Sequence, residues 1–250
     1  MCIILCYTPH LPQVTNSPYA LIIAANRDEY LSRPTIDAAF HNFEPLNSAS
    51  GADPIRTTRC LSGRDAQDPV GGTWFGLSVP ETCATHGKKV LRIGALTNIH
   101  DDIPLDPGPA GKRSRGGILK DYLQLSNEDD TKAYLQSLRE EKRRYDGFGL
   151  GLFDVTICPS SPPGAERKIE IVSFYYSNRI AESKDPRSDS HFQVDDETTS
   201  WSWGMSNSLL SQPLDKVKEG NRLLSDLIDR SSTSTQETLI EDLFSILRSV

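Results

Sequence analysis

No stretch of this sequence stays apolar for the roughly 18 residues that a membrane-spanning helix needs, so a soluble chain without a transmembrane segment is expected. A secretory leader is missing as well. The N-terminus has no basic n-region, and Pro9 and Pro12 interrupt its short apolar start. An Arg-rich transit peptide is not recognisable either, so the expected location is cytoplasmic, with peripheral membrane association left open. Positive charge is scarce: 27 Lys and Arg stand against 34 Asp and Glu, a net charge of −7. That balance excludes a basic nucleic-acid-binding face, and no nucleic-acid partner is expected. The local exceptions are Lys112 to Arg115 (KRSR) and Glu140 to Arg144 (EEKRR), the second reading as the solvated end of a helix. Cysteine is sparse and odd in number: Cys2, Cys6, Cys60, Cys83 and Cys158, with no CxxC pair. The five histidines, His10, His41, His86, His100 and His191, are dispersed. Neither a disulfide framework nor a metal site follows from such spacing, and reduced thiols are the default.

What is present is a sequence of short apolar runs and two late amphipathic helices. Cys2 to Tyr7 (CIILCY) and Tyr19 to Ala25 (YALIIAA) predict an antiparallel hairpin. The polar stretch from about His41 to Asp68 reads as a surface loop. Gly71 to Ser78 (GGTWFGLS) predicts a glycine turn feeding a strand, and Val90 to Leu96 a second strand ending at Thr97-Asn98. GGTWFG lacks the Lys-Ser/Thr ending of a phosphate loop, so a nucleotide site is not expected. Helices are predicted over Gly117 to Leu125, and over Asp129 to Arg143 with Ser126 as its cap. Strands follow at Phe148 to Val155, Lys168 to Tyr176 and Trp201 to Met205, with a polar loop over Ala181 to Ser200. The alternation around Ile169 to Phe174 predicts a sheet covered on both faces. The chain closes with helices over Pro213 to Asp229 and Thr235 to Arg248. Their predicted apolar stripes are Val217, Leu223, Leu224, Leu227 and Ile228, then Leu239, Ile240, Leu243, Phe244 and Leu247. Strands, helices, strands and helices in that order predict a layered α+β fold as one domain over residues 1–250.

Two features carry chemistry. Cys2 directly follows the initiator methionine. If Met1 is removed, the cysteine carries its own base: an α-amine titrating near ~7.7–8 beside a thiol near ~8.5. Covalent acyl transfer then becomes possible in principle, although an isolated strand cysteine is more often a small packing residue. The second feature is the charged tetrad Asn26-Arg27-Asp28-Glu29, into which the second apolar run passes directly. Charge at a buried strand end either pairs internally, with Arg27 or Arg33 on Asp28, or faces a cleft. Adjacent strand residues face opposite ways, so Arg27 is expected on the side away from Asp28.

Five phrases in order, MCIIL, AANRDEYLSRPT, GGTWFGLS, ALTN and GMSNSLL, resemble the NRDE family and, within it, the Transport and Golgi organisation protein 2 homologues. They run from Met1 to about Gln212. The resemblance implies an N-terminal nucleophile hydrolase fold, a four-layer αββα sandwich. It also implies further strands and a late arginine beyond the helix that ends at Val250, so a shortened form is expected. The related acylases use a Met-Cys start, an Asp that holds the α-amine and two assisting Asn. Residue by residue, this implies Cys2 as nucleophile, Asp28 as the amine-orienting carboxylate, and Asn98 and Asn207 as oxyanion helpers. Asn26, Arg27, Glu29, Arg33, Trp74 and Arg115 are the accompanying candidate binding residues. The function implied is Golgi organisation and protein secretion, with haem or acyl-lipid handling, and with Golgi or mitochondrial association. No resident cofactor is expected from the residues themselves; haem enters by resemblance alone. The alternatives are a thiol amidohydrolase acting on an N-acyl or amide ligand, and a scaffold whose site-like residues only pin the sheet.

Overall fold

The first two strands, β1 (Ile3–Thr8) and β2 (Ile22–Asn26), form the predicted antiparallel hairpin, with Ile3 opposite Asn26 and Tyr7 opposite Ile22. The computed structural model describes residues 2–9, 18–43, 58–80, 89–99, 111–126, 129–158, 169–179, 201–230 and 235–250. Its remaining strands are β3 (Thr35–His41), β4 (Thr58–Asp65), β5 (Phe75–Pro80), β6 (Lys89–Asn98), β7 (Phe148–Ile157), β8 (Ile169–Ser177) and β9 (Trp201–Met205). The helices are α1 (Gly116–Leu123), α2 (Thr131–Glu140), α3 (Asp215–Arg230) and α4 (Gln236–Ser249). The protein is therefore mixed α+β, with two antiparallel sheets and four α-helices among the described residues. Its residues fall into two units interleaved in sequence: residues 1–29, 97–100 and 195–250, and residues 30–96 and 101–194.

In the first unit, β1 is the middle strand of a three-stranded sheet, order β2-β1-β9. A central strand buried on both sides should be apolar throughout, and Ile3, Ile4, Leu5, Cys6 and Tyr7 are all buried. Helices α3 and α4 cover one face. Val217, Leu224, Leu227 and Ile228 of α3 meet Ile3, Leu5 and Tyr7, with Leu239 and Ile246 of α4 in the same core. Close helix–strand contact needs a small residue here. A Cβ on Gly220 would lie 2.9 Å from a Leu5 methyl. The α3 stripe is as predicted. On α4 the stripe is rotated: Ile240 and Phe244 are 44% and 55% exposed, while Ile246 is buried. Burial centred on Leu239, Leu243 and Ile246 leaves residues one position on, about 100° round the helix, facing outward.

The second unit holds a six-stranded sheet, β3-β4-β5-β6-β7-β8, whose β6 ends in Thr97 and Asn98 of the first unit. Helix α1 and α2 side chains fill its core: Ile118, Leu119, Tyr122, Leu123, Leu135 and Leu138 pack with Phe148, Leu150, Leu152, Phe174 and Tyr176. Strands β7 and β8 pair over nine residues, Gly149 opposite Ser177 through Ile157 opposite Ile169. Residues Ser173 to Ser177 are buried in succession, as a strand covered on both faces requires.

Two expectations are corrected in this unit, and one strand is added. Residues 58–65 form β4, not loop. The inward side chains there are Cys60, Ser62 and Arg64, polar enough to hide the alternation from hydropathy. The preceding β3 was likewise not anticipated, because its residues are almost all exposed. Residues 44–57 and 181–200, the rest of the two predicted loops, lie outside the described residues. Finally, α2 is capped by Asp130, whose carboxylate accepts the Lys132 N–H at 2.9 Å, and not by Ser126. Ser126 instead donates its own N–H to Asp129 at 2.6 Å.

His41, at the end of β3, is bonded at both ring nitrogens. Its Nδ1 accepts the Phe43 N–H at 3.1 Å, so Nε2 carries the proton and donates to Ser62 Oγ at 2.9 Å. Burial, aided by the Arg64 charge, lowers its pKa below the ordinary 6.5. The folded state then binds that proton less readily than the unfolded chain does. Stability falls as pH drops below about 6.5 and is retained above it. His41→Gln is expected to show a smaller drop in Tm between neutral and mildly acidic buffer than the wild type.

Candidate functional site

Cys2 lies one residue before β1, and the tetrad begins on the last residue of β2, so the hairpin register brings the two together. Asn26 Oδ1 accepts the Ile3 N–H at 2.8 Å and ties the strand ends. One step further on, the Asp28 N–H donates to Cys2 Sγ at 3.4 Å. Asp28 thus reaches the thiol through its backbone, and its side chain is exposed. Arg27 pairs with Glu29 at 3.4 Å. The Arg27 charge favours the Cys2 thiolate.

From the other side of β1 comes the segment after β9. Ser206, buried at the end of that strand, donates Oγ–H to the Cys2 carbonyl at 2.5 Å. Lys216 Nζ, from the first turn of α3, donates to the same carbonyl at 3.0 Å. Asn207 Nδ2 donates to the backbone carbonyl of Asn98 at 2.7 Å. An amide NH₂ has two hydrogens, so this contact leaves one donor on Asn207. Ser206 Oγ is also 3.5 Å from Asn207 Oδ1, at the limit of a contact. Its single proton goes to the shorter partner, Cys2. The four residues expected to act together, Cys2, Asp28, Asn98 and Asn207, therefore lie within one hydrogen-bonded neighbourhood of the first unit. Sequence reasoning missed Ser206 and Lys216. Ser206 had a signal, since it sits inside the GMSN phrase next to Asn207.

Burial pushes the Cys2 thiol up, against the opposing pull of the N-terminal ammonium, Arg27 and Lys216; Glu29 pushes it further up. With Met1 in place the thiol form is favoured, and the chain holds no α-amine on Cys2 to take its proton. Cys6, fully buried in β1, is pushed up much further, and Cys60 is pushed up to about 12 by burial. Neither buried thiol is a usable nucleophile near neutral pH.

The other candidate binding residues belong to the second unit. Arg33 forks onto Asp65 Oδ2, with Nε at 2.9 Å and Nη2 at 2.7 Å. The Trp74 carbonyl accepts the Leu96 N–H at 2.8 Å, and a Cβ on Gly63 would touch its ring at 3.2 Å. Arg115 donates to the Gly147 carbonyl at 2.9 Å. Burial lowers its pKa, Asp146 opposes this, and the Arg33 and Arg179 charges add to the lowering. Among the described residues no group of three His, Cys, Asp or Glu could hold a metal ion. Haem does not fit His41, whose two ring nitrogens are both engaged. His10, His86, His100 and His191 lie outside the described residues. Among the described residues no helix is long and apolar enough to cross a membrane.

Known proteins carry the same arrangement of sequence. The human Transport and Golgi organization protein 2 homolog is 30% identical over 249 residues, covering 99% of this chain and 71% of that protein. The mouse Transport and Golgi organization 2 homolog is 28% identical over the same shares. Transport and Golgi organization protein 2 of Drosophila melanogaster is 25% identical, over 99% of this chain and 72% of the fly protein. One family description, Transport and Golgi organisation 2, matches residues 1–250. From the Met-Cys start to the closing helices, this chain belongs to the Transport and Golgi organisation 2 family.

Proposed function

We propose that this protein serves transport and Golgi organisation, the role its relatives' names state, and with it protein secretion, through a Cys2-centred site that engages the carbonyl of an acyl or amide ligand. The observation that carries this reading is the convergence on Cys2: Asp28 N–H on its sulfur, and Ser206 and Lys216 on its carbonyl. The fold inferred is the N-terminal nucleophile type. In its support, each unit supplies a helix layer on an antiparallel sheet, the parts from which an αββα sandwich is made.

After removal of Met1, the Cys2 α-amine takes the thiol proton and the thiolate attacks the ligand carbonyl. A C–S bond forms, and the carbonyl oxygen becomes an oxyanion beside the Asn207 and Asn98 amides. Collapse breaks the C–N bond, the α-ammonium proton goes to the leaving amine, and water later hydrolyses the thioester. Asp28 orients the ammonium. Asp28→Asn is therefore expected to slow alkylation of Cys2 by iodoacetamide far more than it lowers Tm. Equal loss of both makes Asp28 a structural residue. The test of the whole reading is incubation with a short N-acyl amide and an acyl thioester. A covalent acyl adduct on Cys2 supports it, and the absence of any adduct counts against it.

A second reading is favoured by one observation: burial holds the Cys2 thiol protonated while Met1 is present. In that form the site binds an acyl ligand without attacking it. Saturable binding with no adduct in the same incubation distinguishes the two.

A further inference from the structure

Lys216 stands where a lysine is poorly placed by local rules. It is in the first turn of α3, at the positive end of the helix dipole, where acidic side chains are favoured and cations are not. It is also partly buried, and burial lowers its pKa while the Cys2 thiolate raises it. Its Nζ nevertheless reaches the Cys2 carbonyl at 3.0 Å, beside the 2.5 Å contact from Ser206. Two donors on one carbonyl fix the peptide plane of the residue that bears the sulfur. The direction of its Cα–Cβ bond is then set from the backbone, while the Asp28 N–H holds Sγ itself at 3.4 Å. The charged groups that act on this thiol are the N-terminal ammonium, Arg27 and Glu29 after β2, and Lys216 from α3. Arg27 and Glu29 pair with each other at 3.4 Å and act on the thiol with opposite sign, Glu29 offsetting part of the pull of Arg27. The effect of Lys216 points one way only, toward the thiolate.

We propose that Lys216 is a positioning residue for Cys2: with Ser206 it fixes the nucleophile's backbone through its carbonyl, and alone of the pair it supplies the positive charge against which the thiolate forms. This rests on the reading of Cys2 as nucleophile. A carbonyl clamp without charge is what Ser206 provides, so the two residues separate the effects of position and charge.

The experiment is the pH dependence of Cys2 alkylation by iodoacetamide in the full chain, with adducts assigned by peptide mass spectrometry. Lys216→Met is expected to raise the midpoint by about one pH unit, slowing the reaction about tenfold below it. Lys216→Arg restores the wild-type midpoint, and Ser206→Ala lowers the rate while leaving the midpoint in place. If Lys216→Met fails to fold, Lys216→Gln, which keeps a donor for the carbonyl but no charge, carries the same test. A midpoint unchanged in the uncharged variant overturns the proposal while leaving Cys2 as nucleophile. A wild-type Cys2 that reacts no faster than Cys158 overturns the nucleophile reading, and the role of Lys216 with it.

Discussion

Cys2→Ala is expected to abolish covalent acyl capture, a loss of roughly 10³-fold or more in rate, while barely moving the Tm. Losses of that size are what removal of a nucleophile costs when its helpers cannot act without it. The stability side follows from which atoms do the holding. Ser206 and Lys216 bond the Cys2 carbonyl, and alanine keeps that carbonyl. The side chain contributes one weak sulfur contact with the Asp28 N–H, and it is only partly buried. Acyl capture is read by intact mass after incubation with an acyl thioester, and stability by thermal melting. A variant that captures acyl groups as the wild type does would leave Cys2 a packing residue.

Gly72→Ala is expected to destabilise the second unit by about 3 kcal/mol, at the upper end of what overpacking usually costs. A Cβ at Gly72 would lie 2.3 Å from the carbonyl carbon of Gly116, 2.4 Å from its oxygen and 2.6 Å from its Cα. These are backbone atoms at the start of α1, so no side chain can swing aside. The same turn is pinned by the Asp65 N–H on the Gly72 carbonyl at 2.9 Å, and Gly71 beside it has φ +59°. Movement of the loop would break that bond and the Thr73 N–H contact with Gly116. Gly117 is the control: a Cβ there meets nothing closer than 3.5 Å, and alanine suits a helix. Denaturant unfolding that gives Gly72→Ala and Gly117→Ala equal midpoints would contradict the close approach.

The sequence was most readable where apolar residues follow a clean period. The hairpin of β1 and β2, strand β9 and the α3 stripe were visible for that reason. Strand β4 was not, because Cys60, Ser62 and Arg64 point inward, and Arg64 donates to the Gly71 carbonyl at 3.2 Å. The α4 stripe was misread by one position, since Ile240 and Phe244 are as apolar as the residues that are buried. Local pattern cannot rank two adjacent apolar rows; only the partner surface does so.

Of the candidate site, the residues legible in the sequence are those with a chemical reason to be noticed. Cys2 stands at the start of the chain, Asp28 in a charged tetrad at a strand end, and Asn207 in a recognisable phrase. Ser206 and Lys216 act on Cys2 across 204 and 214 residues of sequence, a distance over which no local pattern speaks. Lys216 looks like an ordinary solvated helix lysine until β1 and α3 are packed together. At Asp28 the backbone N–H donates to the sulfur, a contact that residue type alone does not reveal.

Everything proposed for Cys2 as a nucleophile depends on its having a free α-amine, because burial otherwise holds the thiol protonated. The most direct measurement is therefore the intact mass of the protein purified from a eukaryotic cell, before and after exposure to an acyl thioester. The expected result is a chain lacking Met1 that gains a single acyl group mapping to Cys2. A chain that retains Met1, or that gains its acyl group on another residue, would contradict it.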